Sequence, residues 1–271
     1  QTSMKISILT PSYNQAAFLE QNIQSIMLQE LAHGDEVEHI IMDGGSTDGS
    51  VDILRKYPHL IWRSEKDRGQ AHALNKAFAL STGDIIGWVN SDDMLPHNSL
   101  FTVVEFFKRY PDRHVLVGNL LIIDENSQIL HKIPAQAVTY DGLLNGTECV
   151  TQTSTFFRRA VFTTVGNFNE SLHYGMDHEF FLRVAKSFRF YTIEQDLGTF
   201  RKYGESKTGS SAIEFIKDRI AIRRMYGGRF FSRANLLIAY MLISEPLKRI
   251  IWLRKIVRIL KGANPDFIHY S

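Results

Sequence analysis

The apolar positions of the first hundred residues change their spacing again and again. Ile6-Ser7-Ile8-Leu9 is a short β-branched run that stops at Thr10-Pro11. The spacing then lengthens, and Phe18, Ile23, Ile26 and Met27 share one side of a helix predicted over 16–31. Residues 37–42 read as a second strand closed by Asp43-Gly44-Gly45, 51–57 as a helix, and Leu60-Ile61-Trp62 as a short third strand. A helix over 71–80 ends near Gly83, a fourth strand over 85–89 ends at Asn90-Ser91-Asp92-Asp93, and 100–110 is helical. Strands separated by helices of about 10–15 residues are βαβ units, which build a mostly parallel sheet.

The second half is less regular. Residues 115–123 and 129–133 flank Asp124-Glu125-Asn126-Ser127 as a hairpin with a polar turn. Thr155-Phe156-Phe157 and 188–193 are strand-like. Helices are expected over 177–186, with Phe180, Phe181 and Val184 on the apolar face, and over 210–226, where Gly227-Gly228 breaks the pattern.

Composition excludes more than it selects. The chain has 271 residues, 44% of them hydrophobic and 22% charged, so it can build a sizeable core. A net charge of +2 gives no ground for a nucleic-acid partner, and none is expected. The one cysteine, Cys149, excludes an internal disulfide framework and a Cys-based zinc site. No signal-peptide pattern is visible at the N-terminus, and no apolar stretch reaches the ~18 residues of a membrane span.

The candidate chemistry lies where the strands end. In an open α/β sheet, ligands bind outside the carboxyl ends of the strands, so the polar clusters there predict one shared site. Thr10-Pro11-Ser12-Tyr13-Asn14 offers hydroxyl and backbone groups and an aromatic ring, and serves equally as a strand-to-helix turn. In Asp43-Gly44-Gly45-Ser46-Thr47-Asp48, an Asp at the strand end can accept from a base or ribose, while Asp48 can cap the next helix. Asp67, Gly69 and Asn75 follow the third strand and open a helix. Asp92 and Asp93 are adjacent carboxylates at the end of a buried strand, which repel unless a cation holds them; hard cations take such ligands and share them with phosphates. The alternative for Asp93 is a helix cap. Asp177 opens a helix, whose dipole keeps it ionised and fit to take a proton from an attacking hydroxyl, or simply to cap; His178 and Glu179 follow it.

In order, "ILTPSYNQ", "DGGSTDGS", "EKDRGQAHALNKA", "GDIIGWVNSDD" and "TQTSTFFRRAVFTTVGNFNESLHYGMDHEFFLRVAK" resemble the family 2 glycosyltransferases, over about residues 4 to 205. The nearest flavour is that of bacterial enzymes assembling O-antigen, capsule or other surface glycans. The resemblance implies a GT-A fold: a Rossmann-like, mostly parallel α/β sheet with helices on both faces. It implies one domain over 1–228, with a nucleotide-binding half about 4–95 and an acceptor-binding half about 96–228, and an appendage over 229–271. It implies an inverting transfer from a nucleotide-sugar, a UDP-sugar by preference, with Mn²⁺ or Mg²⁺ as cofactor. Thr10, Pro11, Tyr13, Asn14, Asp43, Asp67, Gly69, Asn75, Asn90, Ser91 and Asp92 would then meet the nucleotide. Asp92 and Asp93 would meet the metal, Asp177 would be the base, and Gln152, Thr153, His178 and Glu179 would face the acceptor. Two departures stand out: the first position of the Asp-x-Asp motif is Asn90, and Tyr203 falls where many relatives carry a His. Arg201, Lys202 and Lys207 are the cations available to the diphosphate.

The last segment is of a different kind. Within 236–261, Trp252, Leu253, Ile256, Val257, Ile259 and Leu260 fall on one helical side, and Lys248, Arg254, Lys255, Arg258 and Lys261 on the other. Such a helix suits an anionic membrane surface, and hence a polyprenyl-diphosphate-linked acceptor met at the inner face of the cell membrane. Packing on its own domain, or on a second copy in a homo-oligomer, suits it too. Two other classes compete for the whole chain. A nucleotidyltransferase calls for a Gly-rich basic loop that "TPSYNQ" lacks, and a non-catalytic binding module calls for damage to carboxylates that are all present.

Overall fold

The computed structural model describes residues 3–172, 174–203, 212–237 and 240. Its strands are β1 (Lys5–Ser12), β2 (Glu36–Asp43), β3 (Ile61–Ser64), β4 (Ile85–Trp88), β5 (Val115–Ile123), β6 (Ile129–Ile133), β7 (Thr155–Arg158) and β8 (Phe190–Arg201). Its helices are α1 (Ala16–Met27), α2 (Ser50–Arg55), α3 (Gln70–Leu80), α4 (Ser99–Arg109), α5 (Tyr140–Asn145), α6 (Arg159–Val165), α7 (Met176–Ser187) and α8 (Ala212–Met225). A 3-10 turn, Gln152–Ser154, precedes β7.

All the strands join one sheet of order β3-β2-β1-β4-β7-β5-β6, with β8 paired to β5. β1 to β4 are mutually parallel, whereas β7 runs antiparallel to both β4 and β5. The winding reverses between β1 and β4, which is where a doubly wound sheet opens a crevice for a ligand. Alternation along each strand sorts the core onto two faces. Ile6 and Ile8 join Ile26 of α1 and Leu100, Val103 and Phe107 of α4. Leu9 and Trp88 join Ala73, Leu74 and Ala77 of α3 and Phe180 and Phe181 of α7. Helices thus cover both faces, as expected. The start of α7 is held by aromatic packing, with Phe180 at 4.5 Å from Phe168 and 5.1 Å from Phe162 between ring centroids.

Three expectations change. α1 ends at Met27 rather than at 31, and Met27 is exposed; Leu19, Asn22, Ile23 and Ile26 form its buried face. β8 extends to Arg201, well beyond 193, because pairing with β5 carries the backbone through the polar residues Glu194, Gln195 and Asp196. Gly198 permits this: a Cβ there would meet the Thr153 carbonyl oxygen. Asp93 caps no helix, since α4 begins at Ser99 behind Asn98. The apolar run over 236–243 and the amphipathic helix expected over 247–261 fall almost wholly outside the described residues, as do Lys207 and His173. Among the described residues, no helix is long and apolar enough to cross a membrane.

Candidate active site

Ser12 at the end of β1 pairs in register with Asp43 at the end of β2, and Asp43 with Ser64 at the end of β3. The Asp43 carboxylate is buried and engaged locally. It accepts from the Gly45 and Ser46 N–H groups (3.1 and 2.9 Å) and from the Ser46 and Ser64 hydroxyls (2.5 and 2.6 Å). Asp43 thus shapes the Gly44–Ser46 loop, where its carboxylate had been expected to read a base. Asn14, at a φ of 50°, stitches this loop to the first: its N–H donates to Ser46 Oγ (2.7 Å) and its side chain accepts from the Thr47 N–H (2.9 Å). Asp48 accepts from the Ala16 N–H (2.8 Å) and the Ser50 N–H (3.0 Å), so one carboxylate caps the starts of both α1 and α2. Burial works against its charge, but the hydrogen bonds from Ser50 and Ala16 hold its carboxyl below the ordinary range.

Tyr13 stands 62% exposed beside these loops. A Cβ on Gly44 would lie 3.0 Å from Asp67 Oδ2 and 3.2 Å from the Tyr13 ring, so Tyr13, Gly44 and Asp67 form one narrow wall. Asp67 also accepts from the Gly69 N–H (2.8 Å), and Gly69 takes the positive φ of 114° that starts α3. Asn75 does not belong here: its amide bonds the Phe168 main chain and Glu170, tying α3 to the segment before α7.

The loop after β4 is braced from several sides. Asn90 accepts on its side-chain oxygen from Trp88 Nε1 and Gln70 Nε2, both at 2.8 Å. Asn22 of α1, fully buried, donates to the carbonyls of both Asn90 and Asp93 (2.9 Å each). Asp93 accepts from the Arg201 N–H (2.9 Å) and from the Thr153 hydroxyl (3.1 Å), so both its oxygens are engaged inside the protein. Arg201 is 1% exposed. Its guanidinium donates to the carbonyls of Asp92, Asp124 and Glu125 and to Gln21. Expected at the diphosphate, Arg201 instead fastens the loop from behind, because burial leaves it no route to a ligand. Thr153, expected at an acceptor, is likewise buried on Asp93.

Asp92 is different. Its Oδ2 accepts from the Tyr203 hydroxyl (2.9 Å), and Tyr203 also meets Gln15 (3.3 Å) and the Phe18 ring (4.9 Å between centroids). Tyr203 therefore does reach the motif. Burial raises the Asp92 carboxyl, against the Tyr203 hydrogen bond; burial and then the Asp92 charge raise Asp93 further. Adjacent buried carboxylates with raised pKa values are stabilised by a cation. Among the described residues, no three His, Cys, Asp or Glu side chains converge as a metal cage. The residues fit a hard cation held by one carboxylate, Asp92, and completed by phosphate oxygens and water. Asp93, expected to share the metal, supports the loop.

Asp177 lies in the first turn of α7 behind Gly175 (φ 70°), and among the described residues its carboxylate has no hydrogen-bond partner. Its neighbours turn inward. His178 is buried against Arg219, and Glu179 is buried in an ion pair with Arg183 (2.8 Å) and accepts from the Tyr226 hydroxyl (2.5 Å). Both are therefore removed from the acceptor role expected of them. Gln152 remains partly exposed in the 3-10 turn beside Thr153, and Lys202 is exposed next to Tyr203. Sequence reasoning missed Asn22, and left Gln70 in the polar cluster after the third strand without a role. A polar residue in the apolar stripe of α1 was the available signal for Asn22.

A doubly wound sheet with acidic and Gly-rich loops at its carboxyl edge is the architecture of a GT-A-type α/β protein. The Glycosyl transferase family 2 model matches residues 7–166, more than half of the chain, and the chain belongs to that family. It is 31% identical over 149 residues to the putative teichuronic acid biosynthesis glycosyltransferase TuaG of Bacillus subtilis, covering 52% of this chain and 58% of that one. The chain spans about half the length of two curated relatives it matches, 42% and 58%. Its fold is shared with S. aureus TarS, solved in complex with UDP-GlcNAc, at a TM-score of 0.65 and 19% identity over 81% of this chain and 65% of that one. It is shared too with a mannosyltransferase from Pyrobaculum calidifontis, solved with GDP-Man and Mn²⁺, at a TM-score of 0.61 and 18% identity over 98% and 82%.

Proposed function

We propose that this chain is an inverting glycosyltransferase that moves a sugar from a nucleotide-sugar, a UDP-sugar, to a hydroxyl of a glycan or polyprenyl-diphosphate-linked acceptor in surface-polymer assembly. The observation that carries this reading is the contrast among the carboxylates. Asp43, Asp93 and Glu179 are engaged inside the protein, whereas Asp92 and Asp177 present theirs at a strand end and a helix start. The named ligands of TarS and of the mannosyltransferase support a nucleotide-sugar donor, and the name of TuaG supports a surface polymer.

In this reading Tyr13, Gly44 and Asp67 receive the base, with Thr10, Pro11 and Asn14 behind them. Asn90, Ser91 and Asp92 face the ribose and diphosphate, and Gly69 lets the α3 start approach them. Asp92, oriented by Tyr203, would hold Mn²⁺ or Mg²⁺, which when bound neutralises charge on the departing diphosphate. Lys202 adds positive charge there, and Lys207 is a second candidate cation by sequence. Asp177 takes the proton from the acceptor hydroxyl, whose oxygen attacks the anomeric carbon opposite the leaving group and inverts it. Gln152 lies on the acceptor side. The nucleotide half spans about 4–95, the acceptor half about 96–228, and 236–261 holds the enzyme at the inner face of the cell membrane.

Asp177→Asn tests the base directly. Transfer is expected to fall about 10²–10⁴-fold while UDP affinity stays unchanged. Near-normal transfer by this variant refutes the assignment.

A further inference from the structure

At the edge of the sheet opposite the donor loops, the end of α4 meets the start of β8, and arginines there rest on tyrosine rings. The Arg113 guanidinium lies 3.7 Å from the centre of the Tyr110 ring and 4.4 Å from that of Tyr191. Arg109 rests on Tyr110 (5.6 Å) and Arg189 on Tyr191 (5.3 Å). The rings are held from below: Tyr110 and Tyr191 both pack on the core cluster that contains Ile6, Val103 and Phe107. Arg109 and Arg189 are exposed, and Arg113 is half-buried.

Among the described residues, none of these three guanidiniums has an ion pair or a side-chain hydrogen bond. The acids nearby are placed otherwise. Asp35 and Glu105 hold Lys108 (2.6 and 3.5 Å). Asp112 is exposed and acts on Arg158, whose own N–H groups donate to the Arg113 and Phe107 carbonyls. Glu194 is exposed and joins no ion pair among the described residues. Positive charge is therefore in excess on this surface. Stacking uses the face of a guanidinium and leaves its in-plane N–H groups free for the paired oxygens of a carboxylate or phosphate. The rings also restrict the side chains, so less freedom is lost when an anion binds. Beside the stack runs a groove of about 770 Å³, lined by Met4, Phe106, Arg109, Tyr110, Arg158 and Gln195. A lipid surface is entered by exposed apolar side chains, and among the described residues the large ones lie neither at the end of α4 nor at the start of β8. A concave, cationic surface fits an extended chain better than a bilayer.

We propose that this stack and groove bind an acidic glycan chain, whose repeated anionic groups pair with Arg109, Arg113 and Arg189. The surface deepens the transferase reading and rests on it for the identity of that chain, the acceptor polymer. β8 runs from this surface to Arg201, whose N–H holds Asp93, a span of roughly 30 Å. A polymer long enough to cover it is retained here while its growing end lies at Asp92 and Asp177.

The test is binding of fluorescein-labelled polygalacturonate to the full chain, read by fluorescence anisotropy, with dextran of matched length as the neutral control. Wild type is expected to bind polygalacturonate and not dextran, and more weakly as salt rises. Arg109→Gln/Arg189→Gln, which alters two exposed side chains, is expected to weaken binding about tenfold, and adding Arg113→Gln to weaken it further. The double variant should keep the wild-type melting temperature and UDP affinity. Equal affinity in wild type and the triple variant overturns the proposal. So does binding of dextran at the strength of polygalacturonate, or release of polygalacturonate by UDP with Mn²⁺, which would put the polymer on the donor loops. Vesicles containing phosphatidylglycerol form a parallel arm: capture of the chain that these arginines control, without polygalacturonate binding, makes the partner a lipid surface and overturns the proposal too. If polygalacturonate binding depends on the stack while UDP binds nowhere, the transferase reading fails and the surface stands. If UDP binds with Mn²⁺ and polygalacturonate does not bind, the surface alone fails.

Discussion

Arg201→Met would remove a guanidinium from the back of the Asp92–Asp93 loop while keeping most of its volume. The wild-type group donates to the carbonyls of Asp92 (2.7 Å), Asp124 (3.0 Å) and Glu125 (3.1 Å), and to the side chains of Ser127 (3.1 Å) and Gln21 (2.8 Å). It also lies 4.6 Å from the centre of the Phe18 ring. At 1% exposure, water cannot replace all of these bonds without moving the β5–β6 turn. Each buried acceptor left unpaired costs about 1–3 kcal/mol, and breaking a buried charged network typically costs about 3–5 kcal/mol in total. For a chain of this size that lowers the melting temperature by roughly 10 °C. The backbone N–H of Arg201 still holds Asp93 (2.9 Å), so the variant is expected to fold in the cold and bind UDP weakly, because the Asp92 main chain has lost its anchor. Thermal unfolding by circular dichroism, with UDP titration well below the transition, reads both effects. A melting temperature within about 2 °C of wild type, with unchanged UDP affinity, would refute the reasoning.

Tyr203→Phe keeps the ring on Phe18 but removes the hydroxyl from Asp92; metal-dependent UDP affinity should weaken about 2–12-fold by calorimetry, the worth of one hydrogen bond. Gly44→Val inserts a side chain between Asp67 and Tyr13, and should weaken UDP binding in the same titration much more than it lowers the melting temperature. Acid should destabilise the fold from about pH 6.5 downward. Burial, then the His59 charge, holds His39 neutral with a pKa pushed down to about 3, so between 6.5 and 3 the unfolded chain takes up a proton that the native state refuses. The slope is up to about 1.4 kcal/mol per pH unit, and His39→Gln should flatten it in urea titrations at pH 7, 5.5 and 4. Glu38 adds to the loss below about pH 4.5. Burial would raise its carboxyl, but Lys5, Ser7 and Thr82 together pull it down to about 2, and that stability is lost as pH falls towards that value.

The strand ends were legible because β-branched runs stop at Asp, Gly and Pro, and short apolar runs between turn residues placed β1, β2, β4, β5 and β6 within a few residues. β8 was read short because Glu194 to Asp196 broke the apolar pattern, and its continuation depends on non-local pairing with β5. The site was legible as a set of loops but not as individual roles. A carboxylate in a motif can face the ligand or hold the loop, and only the partners of Asp43, Asp93 and Glu179 reveal that these three hold structure. Arg201 misled for the same reason: its charge was visible in the sequence and its burial was not. Tyr203 was legible only as a departure from a family pattern, and its contact with Asp92 gives that departure a purpose.

The central claim is that Asp92 joins a divalent cation to the phosphates of a nucleotide donor. Calorimetric titration of UDP into the wild-type chain and Asp92→Asn, each with Mn²⁺ and with EDTA, tests it most directly. Wild type should bind UDP about a hundredfold or more tightly with Mn²⁺ than with EDTA, because a cation on phosphate oxygens contributes several kcal/mol, and Asp92→Asn should bind weakly in both. Equal wild-type affinity in Mn²⁺ and EDTA, or an undiminished Mn²⁺ effect in Asp92→Asn, would contradict the account.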